Sequence, residues 1–184
     1  MRVISGTAKG RTLKSPGAAT RPITDRAKES LFNILGTRVR GANVLDLFAG
    51  AGSVGIEALS RGARAATFVE LDREALRAIR DNLTLTRLSA HAKIVRLDVF
   101  KFIRRGVLDQ YDLIYVAPPQ YKDLWADTLA TLDGRGFLSD HGVVVAQIHP
   151  KEFRAIALTT LELFDQRKYG NTMLCFYKNK SSVP

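Results

Sequence analysis

The chain has 184 residues, which is long enough for one domain with a full hydrophobic core. Its single cysteine excludes a disulfide within the chain. The lack of a signal peptide or a long apolar run argues against a membrane protein, so we expect a cytoplasmic one. The net charge of +10 disfavours a basic partner and favours an acidic one.

Most of this charge lies in the first 40 residues. They contain nine lysines and arginines against two acidic residues, a balance of +7 out of +10. A basic segment at one end of a chain is typical of nucleic-acid binding, although a solvated basic surface gives the same count. The candidate RNA-binding residues are Arg2, Lys9, Arg11, Lys14, Arg21, Arg26 and Lys28.

The chain begins with a predicted basic β-hairpin in residues 1–20. Two short strand-like pieces, 2–5 and 11–14, flank a loop that contains glycine. A helix is predicted next, starting at Thr24 as its cap and ending at Gly36. We therefore treat residues 1–20 as an extension and residues 21–184 as the main domain.

From residue 43 onward, apolar strands alternate with amphipathic helices. The strands are NVLDLF, ATFVEL, KIVRL, DLIYV and GVVVAQI. This alternation predicts an α/β fold, in which a parallel sheet carries helices on both faces. The last two strand-like pieces, LTTLELFDQ and NTMLCFYKN, have no helix between them and predict an antiparallel hairpin at the sheet edge.

A glycine-rich loop follows the first of these strands. Gly50, Gly52 and Gly55 match the pattern G-x-G-x-x-G, and Glu70 ends the next strand 20 positions after Gly50. This spacing is typical of a nucleotide-cofactor site, in which glycines let the backbone approach the ligand and the acid binds ribose hydroxyls. A tight turn without a ligand would show the same glycines.

Acidic residues distinguish between two cofactor classes. Asp46 lies within the first strand, where a carboxylate would repel the pyrophosphate of a dinucleotide but favour the ammonium and sulfonium of S-adenosylmethionine. Asp98 follows the third strand and offers an acceptor for the adenine amine, or a helix cap. The residues favour S-adenosylmethionine, and since the histidines and the cysteine lack ligand spacing, we expect no metal.

A second unusual loop follows the strand DLIYV. Its residues, the proline loop, are Ala117, Pro118, Pro119, Gln120 and Tyr121. The prolines end the strand, stiffen the loop and carry no N–H group, so the loop offers carbonyl acceptors. Such a loop suits a substrate that donates N–H bonds, for example the exocyclic amine of a base that has left its stack.

These motifs resemble those of the RsmD-type methyltransferases, which modify the N2 amine of a guanine in bacterial small-subunit (16S) ribosomal RNA. The similar segments are GTAKGRTL, RPITDRAKESLFNIL, VLDLFAGAGSVGIEALSRGA, FVELD and KYGNTMLCFYK. The resemblance covers nearly the whole chain. It implies the Rossmann-like, seven-stranded class I methyltransferase fold, and a substrate of 16S rRNA in the small subunit or an assembly intermediate.

The resemblance also implies roles for individual residues. Those that would contact S-adenosylmethionine are Asp46, Phe48, Gly50, Gly52, Glu70, Asp98 and Val99. The substrate amine would meet the proline loop, where the family has Asp-Pro-Pro followed by Phe or Tyr. This chain has Ala117 in place of the acid, and Gln120 in place of the aromatic, with Tyr121 one position later.

Three functions remain open on the sequence alone. The first is an rRNA guanine-N2 methyltransferase. The second is a catalytically weak or inactive relic that still binds RNA, because Ala117 lacks the acid. The third is an adenine-N6 nucleic-acid methyltransferase, although the chain is short for a separate target-recognition region. The intact cofactor residues and prolines favour the first.

An active enzyme needs another acceptor for the amine. Gln120 offers a side-chain carbonyl in the proline loop, and Gln147 and His149 alternate onto one face at the end of the adjacent strand. Trp125, just after the loop, is either a base-stacking residue or a core residue. We expect a monomer.

Overall fold

The computed structural model describes residues 1–17, 23–106 and 109–180. In these residues seven strands form one sheet. They are β1 (Asn43–Leu47), β2 (Ala65–Glu70), β3 (Ala92–Arg96), β4 (Tyr111–Val116), β5 (Leu138–Ile148), β6 (Leu161–Tyr169) and β7 (Thr172–Asn179). The α-helices are α1 (Asp25–Leu35), α2 (Ser53–Ser60), α3 (Arg73–Thr86), α4 (Val99–Arg104) and α5 (Leu124–Leu132).

The sheet order is β3–β2–β1–β4–β5–β7–β6. Strands β1 to β5 are parallel to one another, and β7 is antiparallel to both β5 and β6. This confirms the predicted class I methyltransferase fold with its C-terminal antiparallel hairpin. The strand order reverses at β1 and β4, which is where open parallel sheets bind ligands.

The two faces of the sheet follow from the alternation of side chains along each strand. On β1, Val44 packs in the core cluster that includes helices α1, α2 and α3, whereas Leu45 and Leu47 pack in the cluster with α4 and α5. Asp46 shares the first face, beside Tyr115 on β4. Asp46 is therefore enclosed by helices.

Helix α1 begins and ends where the sequence predicts. The Thr24 side chain accepts a hydrogen bond from the Ala27 amide at 3.2 Å, and Gly36 caps the other end with φ of 55°. The hairpin turn between β6 and β7 lies later than expected. Residues 167–169 belong to β6, because the ladder continues to the pair Tyr169–Thr172.

The predicted N-terminal hairpin pairs at a single bridge, Arg2–Thr12, and not along two strands. Its apolar residues Val3, Ala8 and Leu13 are buried in the α1–α3 side of the core. The close fit requires glycine at Gly6, where φ is +85° and a Cβ would lie 1.7 Å from a backbone oxygen. The segment is thus packed onto the main domain, and its boundary as a separate extension stays a prediction.

Among the described residues, no helix has the length and apolar character needed to cross a membrane.

Candidate active site

The candidate site lies where the parallel strands end. The glycine loop (residues 48–52) follows β1, Glu70 ends β2, Asp98 follows β3 and the proline loop follows β4. Since β1 lies between β2 and β4, the glycine and proline loops are neighbours. This arrangement is typical of open parallel sheets, which bind ligands at the carboxyl ends of their strands.

The glycine loop is held at its tip by Glu70. One carboxylate oxygen accepts from the Gly50 amide at 2.8 Å, and the other accepts from the Leu71 and Asp72 amides at 2.7 and 3.0 Å. Gly52 begins α2 in the left-handed conformation, with φ of 75°. Glu70 therefore orders the loop in addition to any role with ribose.

Asp46 is buried beneath this loop and accepts a hydrogen bond from the Gly55 amide at 3.0 Å. Burial raises its pKa to about 8, and the Gly55 hydrogen bond offsets only part of this rise. Burial therefore favours the protonated, neutral form of Asp46. The role of Asp46 as a carboxylate partner for the cationic groups of S-adenosylmethionine stays a prediction.

The other predicted cofactor residues line the same edge. Asp98 caps α4 by accepting from the Lys101 amide at 2.9 Å, as its alternative role predicted, and its second oxygen makes no hydrogen bond within the described residues. Val99 is buried beneath it. Phe48 adopts a left-handed backbone with φ of 59° and packs on the α4–α5 side of the core.

These residues fit S-adenosylmethionine. A Cβ added at Gly50 would meet no atom within 4 Å, so there is open space above the loop for a ligand. Carboxylates at the ends of β2 and β3 suit the hydroxyl and amino donors of a nucleoside. The described residues contain no group of three or more histidine, cysteine or acidic side chains able to hold a metal.

The proline loop is joined to the glycine-loop strand at its base. The Ala117 amide donates to the Leu47 carbonyl at 3.4 Å, and the Ala117 side chain packs toward the α1–α3 core. Pro118 is buried, whereas Pro119 is exposed. At the end of the loop, Tyr121 is 64% exposed, which leaves its ring available to a base.

Gln147 lies beside the position that lacks the acid. The β4–β5 register pairs Val116 with Ala146, and continuing it by one residue sets Ala117 opposite Gln147. The side-chain carbonyl of Gln147 accepts a hydrogen bond from the Tyr115 hydroxyl. A carbonyl oxygen has two lone pairs, so a second acceptor position remains.

His149 is less suited to supply such an acceptor. Its Nδ1 accepts a hydrogen bond from the Lys151 amide at 3.1 Å, so this nitrogen carries no proton. In the neutral ring the proton is then on Nε2, which is a donor. Nδ1 of His149 is therefore already bonded to a backbone donor, which makes Gln147 the better candidate of the two for the missing acceptor.

One residue of the site was missed by the sequence analysis. Glu152 accepts hydrogen bonds from the Tyr121 amide at 2.6 Å and from the His149 amide at 3.1 Å. The residues His149 and Glu152 form a capping box at a short 3₁₀-helix, Pro150–Glu152. A cap residue followed three positions later by glutamate is the signal that would have indicated it.

The predicted RNA-binding residues separate into different environments. Lys9, Arg11 and Arg26 are exposed, and none of them forms a salt bridge within the described residues. Arg2 pairs with Asp25 at 3.1 Å and Lys14 with Asp81 at 2.9 Å. Arg21 lies outside the described residues.

Lys28 is fully buried and is not available to a phosphate, which corrects the prediction for this residue. Its ammonium donates to the Arg2 carbonyl at 2.6 Å and the Ser53 hydroxyl at 3.1 Å, and lies 3.5 Å from Glu57. Burial lowers the Lys28 pKa, and the Glu57 carboxylate opposes that shift. Lys28 therefore links the N-terminal segment to the first turn of α2.

Trp125 is a core residue. Its side chain is 1% exposed in α5, so it does not stack on a base. The indole N–H has no hydrogen-bond partner among the described residues. The second alternative for Trp125 is the correct one.

Comparison with known proteins shows the family of this chain. A family described as "Conserved hypothetical protein 95" matches residues 1–178. YlbH of Bacillus subtilis, named as a candidate rRNA methyltransferase, is 40% identical over 98% of this chain and 100% of that protein. Ribosomal RNA small subunit methyltransferase D of Escherichia coli is 35% identical over 80% of this chain and 74% of that protein.

A solved structure has the same fold as this chain. The Escherichia coli protein yhhF, described as a candidate methyltransferase, has a TM-score of 0.86 and 30% identity, covering 99% of each chain. Fold and site together define a class I S-adenosylmethionine-dependent methyltransferase. The chain belongs to the family of the ribosomal RNA small subunit methyltransferase D proteins, which the sequence motifs indicated.

Proposed function

We propose that this methyltransferase modifies the exocyclic N2 amine of a guanine in 16S rRNA. The observation that carries the proposal is the juxtaposition of the proline loop and the glycine loop on β4 and β1. A relative with 35% identity is named for methylation of small-subunit ribosomal RNA, which supports this substrate.

The cofactor residues have distinct proposed roles. Glu70 binds the ribose hydroxyls and Asp98 accepts from the adenine amine, while Asp46, Phe48, Gly50, Gly52 and Val99 form the walls of the site. When bound, S-adenosylmethionine supplies an electrophilic methyl group. The chain's part is to hold the amine nitrogen in line with it and to exclude water.

The target guanine must leave its stack to enter the site. Tyr121, with 64% of its surface exposed, is the aromatic side chain of the loop that can stack on the extruded base. It lies one position later in the sequence than the family's aromatic and has a left-handed backbone, with φ of 60°.

The amine attacks poorly because its lone pair is delocalised into the ring. Acceptors that hold its hydrogens out of the ring plane localise that lone pair. We assign this role to the carbonyl oxygens of Ala117 and Pro118 and to the side-chain oxygen of Gln147, which the Tyr115 hydroxyl orients. Gln120 is the alternative acceptor.

Single-turnover methylation separates these acceptors. Gln147→Leu is expected to lower the rate at least about tenfold, with Gln120→Ala and the exposed control Gln166→Ala close to wild type. Ala117→Asp is then expected to gain little. A loss with Gln120→Ala alone would transfer the role to that residue, and a large gain with Ala117→Asp alone would mean that no acceptor replaces the acid.

RNA binding is proposed to involve two groups of exposed basic residues. Lys9, Arg11 and Arg26 form one group, and Lys122, Lys151 and Lys168, exposed near the carboxyl edge of the sheet, form the other. Deleting residues 1–14 is not a suitable test, because it would remove Val3, Ala8 and Leu13 from the core.

A variant that removes two positive charges tests the first group without unfolding the N-terminal segment. In Lys9→Gln/Arg11→Gln, the log–log slope of affinity against salt is expected to flatten by about 1.4, or about 0.7 for each single-strand contact. Lys93→Gln, an exposed lysine on β3, serves as the control. An unchanged slope in the double variant would assign these residues to solubility alone.

A methyl-transfer assay with radiolabelled S-adenosylmethionine distinguishes the candidate functions. Unmodified small subunits or their assembly intermediates are the proposed substrates, compared with naked 16S rRNA and duplex DNA. Transfer to the DNA would favour the adenine-N6 alternative, and RNA binding without transfer would favour the relic. We further propose that the protein acts in the cytoplasm. We also propose that it is a monomer, which light scattering of the purified protein tests.

A further inference from the structure

The proline loop is held from outside by the turn that follows β5, residues 149–154. Three contacts connect the two segments. The Tyr121 amide donates to Glu152 at 2.6 Å, the Tyr121 ring lies 5.4 Å from the His149 ring, and Asp123 lies 3.6 Å from Arg154. The first is charge-assisted and short, and it is the strongest of the three.

The prolines stiffen the proline loop, but few hydrogen bonds within the loop fix its position. Its two prolines have no N–H groups, and Ala117 has no polar side chain with which to bind its neighbours. Tyr121 and Asp123 both have left-handed backbones, with φ of 60° and 54°. This conformation is unfavourable for residues other than glycine and persists only where the surroundings hold it.

Glu152 is suited to hold that conformation because its two oxygens serve different segments. One accepts from Tyr121 in the proline loop, and the other accepts from His149 at the end of β5. Pro150 begins the short helix that carries Glu152 and limits its backbone freedom. The carboxylate is therefore a rigid bridge between the loop and the sheet.

We propose that Glu152 is a positioning residue for methyl transfer: its carboxylate fixes Tyr121, and through it the carbonyls and the aromatic ring of the proline loop, in the conformation that receives the target base. This inference rests on the proposed function. Glu152 acts through the loop and is not assigned a contact with the base or the cofactor.

The test compares Glu152→Ala, Glu152→Gln and the control Glu162→Ala, which removes an exposed carboxylate of β6. Glu152→Ala is expected to lower the single-turnover rate about 10- to 100-fold at saturating RNA and cofactor, since small misplacements of a reacting group have effects of this size. Glu152→Gln keeps one acceptor oxygen and is expected to recover part of the rate. S-adenosylmethionine affinity is expected to stay at the wild-type value, and the melting temperature to fall by no more than the loss of one helix cap causes.

A second measurement does not depend on activity. Hydrogen exchange of the Tyr121 amide, followed by NMR, is expected to be at least about tenfold faster in Glu152→Ala than in the wild type or in Glu162→Ala. The same spectra report the ring-current shift that Tyr121 produces on the His149 ring, which is expected to shrink.

These two readouts keep the inference separate from the proposed function. Unchanged exchange, or faster exchange with an undiminished rate, would overturn the positioning role. A wild-type protein that methylates no RNA would refute the proposed function, while the exchange measurement would still decide whether Glu152 holds the loop.

Discussion

The glycine loop and the proline loop meet at one edge of the sheet but are held in different ways. The glycine loop is continuous with the core: Glu70 binds the Gly50 amide, buried Asn82 donates to the Ala51 carbonyl at 3.0 Å, and Gly55, in the first turn of the helix α2 that follows the loop, packs against Phe68. The proline loop depends on contacts from the turn after β5. Changes in the first loop therefore affect folding, whereas the second can vary, as Ala117 and Gln120 do, within an intact fold.

The largest expected effect is that of Gly55→Ala. Its Cβ would lie 2.3 Å from the fully buried Phe68 ring, so α2 would have to move away from β2. We expect the free energy of unfolding to fall by about 3 kcal/mol, as overpacking of a core does, and S-adenosylmethionine binding to be lost. Urea denaturation measures this against Thr84→Ala at an exposed helix position, and equal stability of the two variants would contradict the close packing.

Glu70→Ala is expected to weaken S-adenosylmethionine binding by roughly 10- to 150-fold, which corresponds to about 1.5 to 3 kcal/mol. The loss combines the proposed ribose contact with the release of the Gly50 amide. Glu70→Gln should lose less, because one acceptor oxygen is kept. Calorimetry decides between these outcomes, with Glu74→Ala as control, and full affinity in a folded Glu70→Ala would exclude the proposed placement of the ribose.

The raised pKa of Asp46 predicts that the free energy of unfolding depends on pH. Its pKa is about 8 in the folded protein and about 3.9 in an unfolded chain, so the folded state binds the extra proton between these values. Its contribution to stability is fully present below pH 4 and is lost as the pH rises toward 8, at about 1.4 kcal/mol per pH unit. Asp46→Asn should lack this component. Parallel unfolding curves from pH 5 to 8, with no divergence between the two proteins, would show that Asp46 is charged.

The smallest effect on stability is expected in the proline loop. Pro119 is exposed, and Pro119→Ala should lower the free energy of unfolding by only about 0.4 to 1 kcal/mol, through the greater freedom of the unfolded chain. The methyl-transfer rate should nevertheless fall, because the loop becomes less rigid. A stability loss as large as that of Gly55→Ala would remove the distinction between the two loops.

The elements of the fold were largely predictable because local rules govern them. Thr24 and Gly36 mark the ends of α1, and the apolar runs of β1, β2 and β4 are separated by helical patterns that require a parallel sheet. In such a sheet the strand ends share one edge, so the juxtaposition of the glycine and proline loops followed without coordinates. The packing of the N-terminal segment onto the main domain was not predictable, since the contacts of Ile4 and Ser5 with Glu57 join residues more than 50 positions apart.

The sequence by itself determined the fold class, the family and the cofactor, because each depends on residue types at fixed spacing along the chain. Tertiary structure decided the state of individual side chains, which depends on what surrounds them. It buried Lys28 and Trp125, raised the pKa of Asp46 by removing it from water, and used Nδ1 of His149 for a backbone contact. It also brought Glu152 to Tyr121 across 31 positions, a contact that no local pattern encodes.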